Sequence, residues 1–306
     1  MPSPAISTAF GDLLDPRFQR IYHEKFKQLP DMIPQIYNVV PHNGRDIMSW
    51  SEIGTFGDWQ PFSGRVSYDS LTQGYDTTMT FLEFVSGFMV ERKLYDDDQF
   101  HIMDRKPSGL ATALVRTRQR HAARTFNNAF SVDNYFAVRS EGVALCSASH
   151  TTTSPGVSTA SGFDNYGTSA LSATAVAAAR IDFVQFRDDR GNFFSAMPDT
   201  LIVPPALYEV AYEITASSGK VDTANNNRNV HEGKYKTIEW NYLTDASNWF
   251  MTDSMMQKES LFWCDRVSSE FAYAEDLDTL VAKWRGYARW AKAEIDWRWI
   301  FGAQVS

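Results

Sequence analysis

The sequence is poor in cysteine, with Cys146 and Cys264 as its two thiols among 306 residues and no CxxC pair. This spacing excludes a zinc site built from neighbouring cysteines. It also argues against a disulfide framework and favours a reducing compartment. We expect both cysteines to be small, buried apolar residues.

Long apolar runs are missing as well. No uninterrupted stretch approaches the roughly 18 apolar residues that a membrane-spanning helix needs. The N-terminal segment MPSPAISTAFGDLLDPRF has neither the basic region nor the apolar region of a secretory signal. These absences predict a protein that is made and assembled in the cytoplasm, without contact with a membrane.

The motifs of common enzymes are absent. Gly162 and Gly167 have the spacing of a phosphate-binding loop, but Thr168 stands where that loop requires lysine. His231 and Glu232 are followed by Gly-Lys-Tyr, so the second histidine of a helical zinc motif is missing. We therefore predict no enzymatic activity, no cofactor and no metal. An enzyme of unrecognised class remains an alternative, because residues far apart in sequence can also form a site.

The composition favours a folded chain without a general affinity for nucleic acid. Hydrophobic residues make up 43% of the chain, enough for a sizeable core in one large domain or two smaller ones. The formal net charge is −8, whereas a protein that binds nucleic acid over its whole surface carries the opposite sign. We expect non-specific contact with nucleic acid at most.

The first 45 residues are rich in proline, which interrupts helices and favours extended backbone. Within them, Phe18, Tyr22 and Phe26 are spaced as on one face of a helix. This pattern predicts an arm that lies over another surface. An ordinary N-terminal segment on its own core is the alternative.

Residues 46–92 are rich in Thr, Phe, Met and Val, which predicts a long β-hairpin. Trp59 and Phe62 lie among turn-forming residues at its expected tip. A long hairpin needs a surface to lie on, and exposed aromatic side chains at a loop tip favour contact with a partner. The sequence therefore predicts an intermolecular contact at this tip.

A long helix is predicted over residues 107–130. Its apolar residues recur at multiples of four and form one stripe, which Arg118 interrupts; they are Leu110, Leu114, Ala122, Phe126 and Phe130. Arg116, Arg120 and Arg124 lie on other faces. These arginines predict a basic surface toward DNA or toward acidic neighbours, with an ordinary solvated helix surface as the alternative.

The rest of the chain mixes both kinds of element, so the predicted class is α+β. Helices are expected at 169–180 and 206–216, and strands at 181–186, 200–203 and 235–242. The closing residues are rich in tryptophan and are predicted to form extended segments of one sheet, at 271–275, 281–290 and 295–302. Their aromatic side chains are expected in a core or an interface.

Several stretches in this order carry a family likeness. They are Phe56-Gly57-Asp58-Trp59 with Gly64-Arg65-Val66, Phe126-Asn127-Asn128-Ala129-Phe130, Gly142-Val143-Ala144-Leu145 with Ser149-His150, the run from Asp199 to Pro205, and the stretch from Glu270 to Gly302. In this order they resemble the Hong Kong 97-type capsid fold, and within it the Mu-like major head subunits of tailed bacteriophages. The resemblance spans nearly the whole chain.

The resemblance implies a major capsid protein that assembles into an icosahedral shell around phage double-stranded DNA. It implies an N-terminal arm at 1–45, an extended loop at 46–92, a P-domain at 93–134 and 261–306, and an A-domain at 135–260. At the loop tip, Trp59, Phe62 and Arg65 are expected to contact an adjacent subunit. On the long "spine" helix, the expected basic contact residues are Arg116, Arg118, Arg120 and Arg124.

The resemblance also implies partners. The subunits would associate into pentamers and hexamers, with a portal and in some phages a decoration protein. Residues 46–92 contain no lysine, so the lysine crosslink of some family members is not expected. The chain begins directly with the arm, which predicts a separate scaffold protein. A minor head or tail component of a phage is the alternative structural role.

Overall fold

The computed structural model describes the backbone of residues 8–42, 44–62, 64–66, 68–91, 102–219, 228–276 and 281–305. Helices and strands are mixed along the chain, which confirms the predicted α+β class. The helices are α1 (Thr8–Gln28), α2 (Ile33–Ile36), α3 (Arg105–Asn127), α4 (Ala173–Gln185), α5 (Tyr208–Ala216) and α6 (Ser254–Ser260). The strands are β1 (Asn38–Val40), β2 (Ile47–Ile53), β3 (Gln73–Thr80), β4 (Leu82–Glu91), β5 (Ala137–Arg139), β6 (Tyr166–Gly167), β7 (Thr200–Val203), β8 (Lys236–Glu239), β9 (Trp249–Thr252), β10 (Leu261–Asp276), β11 (Val281–Glu294) and β12 (Ile300–Ala303).

A four-stranded sheet in the order β1-β10-β11-β4 forms the centre of the molecule. Its middle strands, β10 and β11, run antiparallel over 16 and 14 residues. Trp263, Trp284 and Trp290 point from these strands into the core and are fully buried. The predicted burial of the C-terminal tryptophans is therefore confirmed, and their location is a core.

Helix α1 packs against this sheet and against α3. Phe18 and Tyr22 are each 1% exposed. The ring of Phe18 lies 5.2 Å from that of Trp284, and Tyr22 stacks on Phe271 at 4.9 Å. Phe18 and Tyr22, on the helix expected within the N-terminal arm, thus lie on the core of their own chain, as the alternative interpretation has it. Residues 1–7 and 43 of the expected arm, 1–45, lie outside the described residues.

A second sheet has five strands in the order β6-β12-β9-β7-β8. Every residue of β7, β9 and β12 is buried, which explains their continuous apolar character. Two predictions are corrected here. The segment at 295–302 contributes β12 to this sheet instead of the β10–β11 sheet, and residues 181–185 continue α4 instead of starting a strand.

The predicted long hairpin at 46–92 is only partly correct. Strands β2 and β3 do pair antiparallel, and β3 also pairs with β5. However, β4 leaves the hairpin after Phe81 and pairs with β11 in the central sheet. Alternate β4 residues have apolar side chains that need a buried face, and they find it in the central sheet. Phe84, for example, stacks on Trp290 at 4.0 Å. The hairpin therefore ends near residue 81.

Candidate assembly surface

The connection between β2 and β3, residues 54–72 without 63 and 67, exposes six large apolar side chains, and we call it the loop tip. Trp59 is 97% exposed, Tyr68 91% and Phe62 78%. Phe56, Val66 and Leu71 are also exposed, as is Arg65. The structure thus places the predicted tip residues Trp59, Phe62 and Arg65 at the surface. Soluble proteins rarely leave so many large apolar groups together in water unless they form a contact site.

The loop tip is held by polar contacts to the turn that follows α4. The guanidinium of Arg190 donates to both oxygens of Asp69, at 2.7 and 3.2 Å, and to the carbonyl oxygen of Ser70 at 2.8 Å. The Gly57 N–H donates to the same Asp69 carboxylate at 2.8 Å. That N–H and the Arg190 guanidinium hold the pKa of Asp69 below its ordinary value. We call these contacts the clasp.

Additional contacts join the start of the loop tip to the same turn. The Thr55 hydroxyl lies 2.8 Å from an Asp188 carboxylate oxygen and 2.6 Å from one of Asp189. At Gly54, an added Cβ would lie 2.6 Å from the Asp189 carboxylate and 2.9 Å from the Thr72 carbonyl oxygen. Only glycine allows this close approach. The clasp therefore fixes the backbone of the tip while its aromatic side chains face outward.

We expect Arg190→Gln to loosen the loop tip without unfolding the chain. Hydrogen exchange at the Gly57 amide should become faster, because Asp69 loses the guanidinium that positions it. Overall stability should stay close to wild type, since exposed ion pairs contribute little. Arg180→Gln, which removes the same charge from the exposed side of α4, serves as the control. Unchanged exchange at Gly57 in Arg190→Gln would show that the clasp does not order the tip.

The β2–β3 hairpin is joined to the neighbouring β5 by a buried charge network. Arg139 on β5 pairs with Glu52 on β2 at 3.1 Å and with Glu141 at 3.2 Å. The other oxygen of Glu141 lies 3.0 Å from Nδ1 of His150, whose ring stacks on Trp297 at 4.2 Å. Burial would raise the pKa of Glu141, but the His150 hydrogen bond and the Arg139 charge lower it below its ordinary value. The network joins the loop to the body of the subunit.

The arginines of α3 do not share one environment. Arg118 is 6% exposed and makes two hydrogen bonds to Asp265, at 2.6 and 3.0 Å. The prediction that Arg118 faces DNA or a neighbour is therefore corrected: it continues the buried stripe, where its own chain supplies the carboxylate. Arg124 makes two hydrogen bonds to Asp133, at 2.7 and 2.9 Å. Arg116 and Arg120 are exposed.

His121 on α3 is expected to make the subunit sensitive to acid. Burial lowers the pKa of His121 to about 4, with the charges of Arg124, Lys292 and Arg120 acting in the same direction. The Trp290 indole N–H donates to Nδ1 of His121 at 3.3 Å, which requires that nitrogen to be unprotonated.

Because the unfolded chain protonates this histidine near its ordinary pKa of 6.5, it binds more protons than the folded chain between that pH and about 4. The free energy of unfolding should fall as the pH falls through this window. Urea unfolding at a series of pH values should show that the free energy of unfolding falls less for His121→Gln than for wild type as the pH is lowered. His23→Gln, at an exposed position, should behave as wild type. Parallel pH profiles for all three proteins would contradict the assignment.

Sequence reasoning missed the residues that hold the loop tip and the helix. Asp69 and Arg190 are 121 positions apart, and Arg118 and Asp265 are 147 apart. No local pattern pairs residues across such distances. The sequence contains two signals for them. The residues Asp-Asp-Arg-Gly at 188–191 favour a turn, and an arginine in an apolar helix stripe indicates a buried ion pair.

The described residues contain no group of three or more His, Cys, Asp or Glu side chains arranged to hold a metal ion. Both cysteines are buried and unpaired, as expected, and burial raises the pKa of Cys264 to about 11. Among the described helices, none is long and apolar enough to cross a membrane.

Solved structures with a similar fold include phage capsids. The mature capsid of bacteriophage PhiM1 matches with a TM-score of 0.60 and 9% identity, over 91% of this chain and 88% of that chain. The capsid of the native GTA particle gives 0.56 and 13%, over 91% of each chain. The procapsid of bacteriophage JBD30 gives 0.54 and 13%, over 98% of this chain and 76% of that chain. The fold is therefore of the Hong Kong 97 type.

A search of curated protein sequences gives no match. The sequence profile of the family described as phage capsid protein matches residues 74–303. Members of such a family are structural components of virions, and they associate with one another into multi-subunit shells. Since the matched residues are most of the chain, this chain belongs to the phage capsid protein family and is a major capsid protein that forms the shell.

Proposed function

We propose that this subunit builds an icosahedral shell of pentamers and hexamers that encloses phage double-stranded DNA, and that it does so without enzymatic activity. The Mu-like affiliation is part of the proposal. So are assembly in the host cytoplasm and the separate scaffold, portal and decoration proteins. The observation that carries it is the exposed, clasped loop tip, because a closed shell needs one surface that each copy offers to the next.

The loop tip fits a contact with an adjacent subunit in three ways. Its aromatic side chains can bury large apolar areas, and such residues dominate the binding energy of interfaces. The clasp holds the backbone in place before binding, which reduces the entropy lost on association. Arg65 lies among the aromatics and can pair with a carboxylate at the rim of the contact. We therefore propose that Trp59, Phe62 and Arg65 become buried against a neighbouring copy.

Negative-stain electron microscopy with sedimentation tests this function. The chain is expressed alone and together with the neighbouring reading frames, and the particles are imaged. Shells, or rings of five or six subunits, are the expected result. A folded monomer under every condition would contradict the shell function and would favour a minor head or tail component, present in few copies per particle.

A further inference from the structure

Helix α3 carries a positive charge that the chain as a whole lacks. Between Arg105 and Asn127 it has six basic side chains and no acidic one, while the net charge of the chain is −8. Arg118 points inward, but Arg105, Arg116 and Arg120 are exposed, and the side chain of Arg124 is 36% exposed. Arg105, Arg116, Arg120 and Arg124 share the solvent-facing side of α3, and we call these four residues the basic ridge.

Among the described residues, few carboxylates lie beside the basic ridge. A groove of about 550 Å³ is lined by Arg105 and Arg116, and the one carboxylate among its described lining residues, Asp104, is paired with Arg17. A second groove, of about 390 Å³, is lined by Arg120 and Arg124, and none of its described lining residues is a carboxylate. Within the described part of the chain, neither Arg116 nor Arg120 has an ion-pair partner. Arg124 is paired with Asp133, so the unneutralised positive charge of the described ridge lies at Arg116 and Arg120.

The character of the basic ridge favours a nucleic acid over a protein as its partner. Protein interfaces have an apolar core, but the exposed large apolar side chains of the described residues all lie outside α3. Interfaces with DNA are more polar and much more positive, and guanidinium groups match phosphate geometry. From Arg105 to Arg124 the ridge extends about 28 Å at roughly 1.5 Å per residue, a length suited to an extended polyanion.

We infer that the basic ridge binds the phosphate backbone of double-stranded DNA without reading its sequence. This inference rests on the proposed DNA-enclosing function and assigns α3 to the surface that faces the packaged DNA. Such binding releases counterions, so the logarithm of the affinity falls linearly with the logarithm of the salt concentration. The slope of this line gives the number of phosphates contacted.

The test compares wild type with Arg116→Glu/Arg120→Glu. The control, Lys234→Glu/Lys236→Glu, makes the same change in net charge at exposed residues around the start of β8. Fluorescence anisotropy measures binding of a labelled DNA duplex, about as long as the ridge or longer, between about 50 and 200 mM salt. We expect the ridge variant to bind at least about tenfold more weakly than wild type at the lower salt. The slope of log affinity against log salt concentration should be smaller in magnitude by about two, because two phosphate contacts are lost. The control should bind as wild type does.

Equal duplex binding by the wild type and the ridge variant would overturn the inference, as would an equal loss in the control. Failure of the wild type to bind duplex at the lower salt would overturn it too. Poly-glutamate as competitor tests an acidic protein partner, and displacement of duplex by poly-glutamate at similar charge concentration would favour that partner instead. The same samples are imaged for shells: absent shells contradict the proposed function, whereas shells with unaltered DNA binding contradict this inference alone.

Discussion

Trp59→Ser combined with Phe62→Ser is expected to give a folded subunit that no longer forms shells. Both side chains are exposed in the subunit, at 97% and 78%, so their removal costs little folding free energy. In a neighbour's pocket, an aromatic anchor contributes about 2–4 kcal/mol. Losing two such anchors weakens each contact by roughly a thousandfold or more, and the loss recurs at every equivalent interface. Sedimentation and electron microscopy should show free subunits or small oligomers where the wild type gives shells.

Two control variants make this result specific. Trp59→Phe, with Phe62 unchanged, keeps both aromatic anchors and should give most of the wild-type shell yield. Met255→Ser, at another exposed apolar position with 75% exposure, should assemble as wild type. Thermal unfolding of all variants should be nearly superimposable, because none of the three residues belongs to the core. Shells at wild-type yield from the double variant would remove the loop tip from the set of assembly contacts.

The sequence predicts those parts of this fold that depend on local patterns. The α3 periodicity and the short apolar strand β7 before Pro204 are recognisable because their signals lie within one element. The partner of a strand is a different matter. The segments that form β11 and β12 are both rich in aromatic residues, yet one enters the central sheet and the other the five-stranded sheet. Hydrophobic periodicity indicates that one face of a segment is buried, but it does not indicate which sheet the segment joins.

The loop tip illustrates the same limit at the candidate site. Turn-forming residues around Trp59 and Phe62 predict an exposed tip, and the structure has them at the surface. The clasp that fixes their backbone comes from Arg190, in a turn far along the chain. Likewise, a basic helix surface is predictable from composition, but the inward direction of Arg118 depends on Asp265 of β10. Contacts set by tertiary structure are what single-sequence reasoning leaves open.

Arg118→Met is expected to lower the free energy of unfolding by about 3–5 kcal/mol. Arg118 lies between α3 and the central sheet, with its guanidinium carbon 5.3 Å from the centre of the Trp263 ring and 5.6 Å from that of Trp290. Methionine fills a similar apolar volume but leaves the Asp265 carboxylate, which is 22% exposed, without its cation. The Trp263 indole N–H, which donates to the same carboxylate at 3.0 Å, cannot neutralise that charge.

Urea unfolding of a double-variant cycle separates the ion pair from packing. Arg118→Met with Asp265→Asn should be more stable than Arg118→Met alone, because the uncompensated charge is gone, and the coupling free energy should exceed about 1 kcal/mol. Arg120→Met is the matched control, because Arg120 lies two positions further along the same helix at an exposed site. It should change the free energy of unfolding by less than about 0.5 kcal/mol. If Arg118→Met and Arg120→Met cost the same free energy of unfolding, Arg118 behaves as an ordinary solvated residue and all five arginines of α3 are equivalent. If Arg118→Met is far more costly, the two roles of the helix are separate. Arg118 then holds the subunit together, and Arg116 and Arg120 remain available for an external partner.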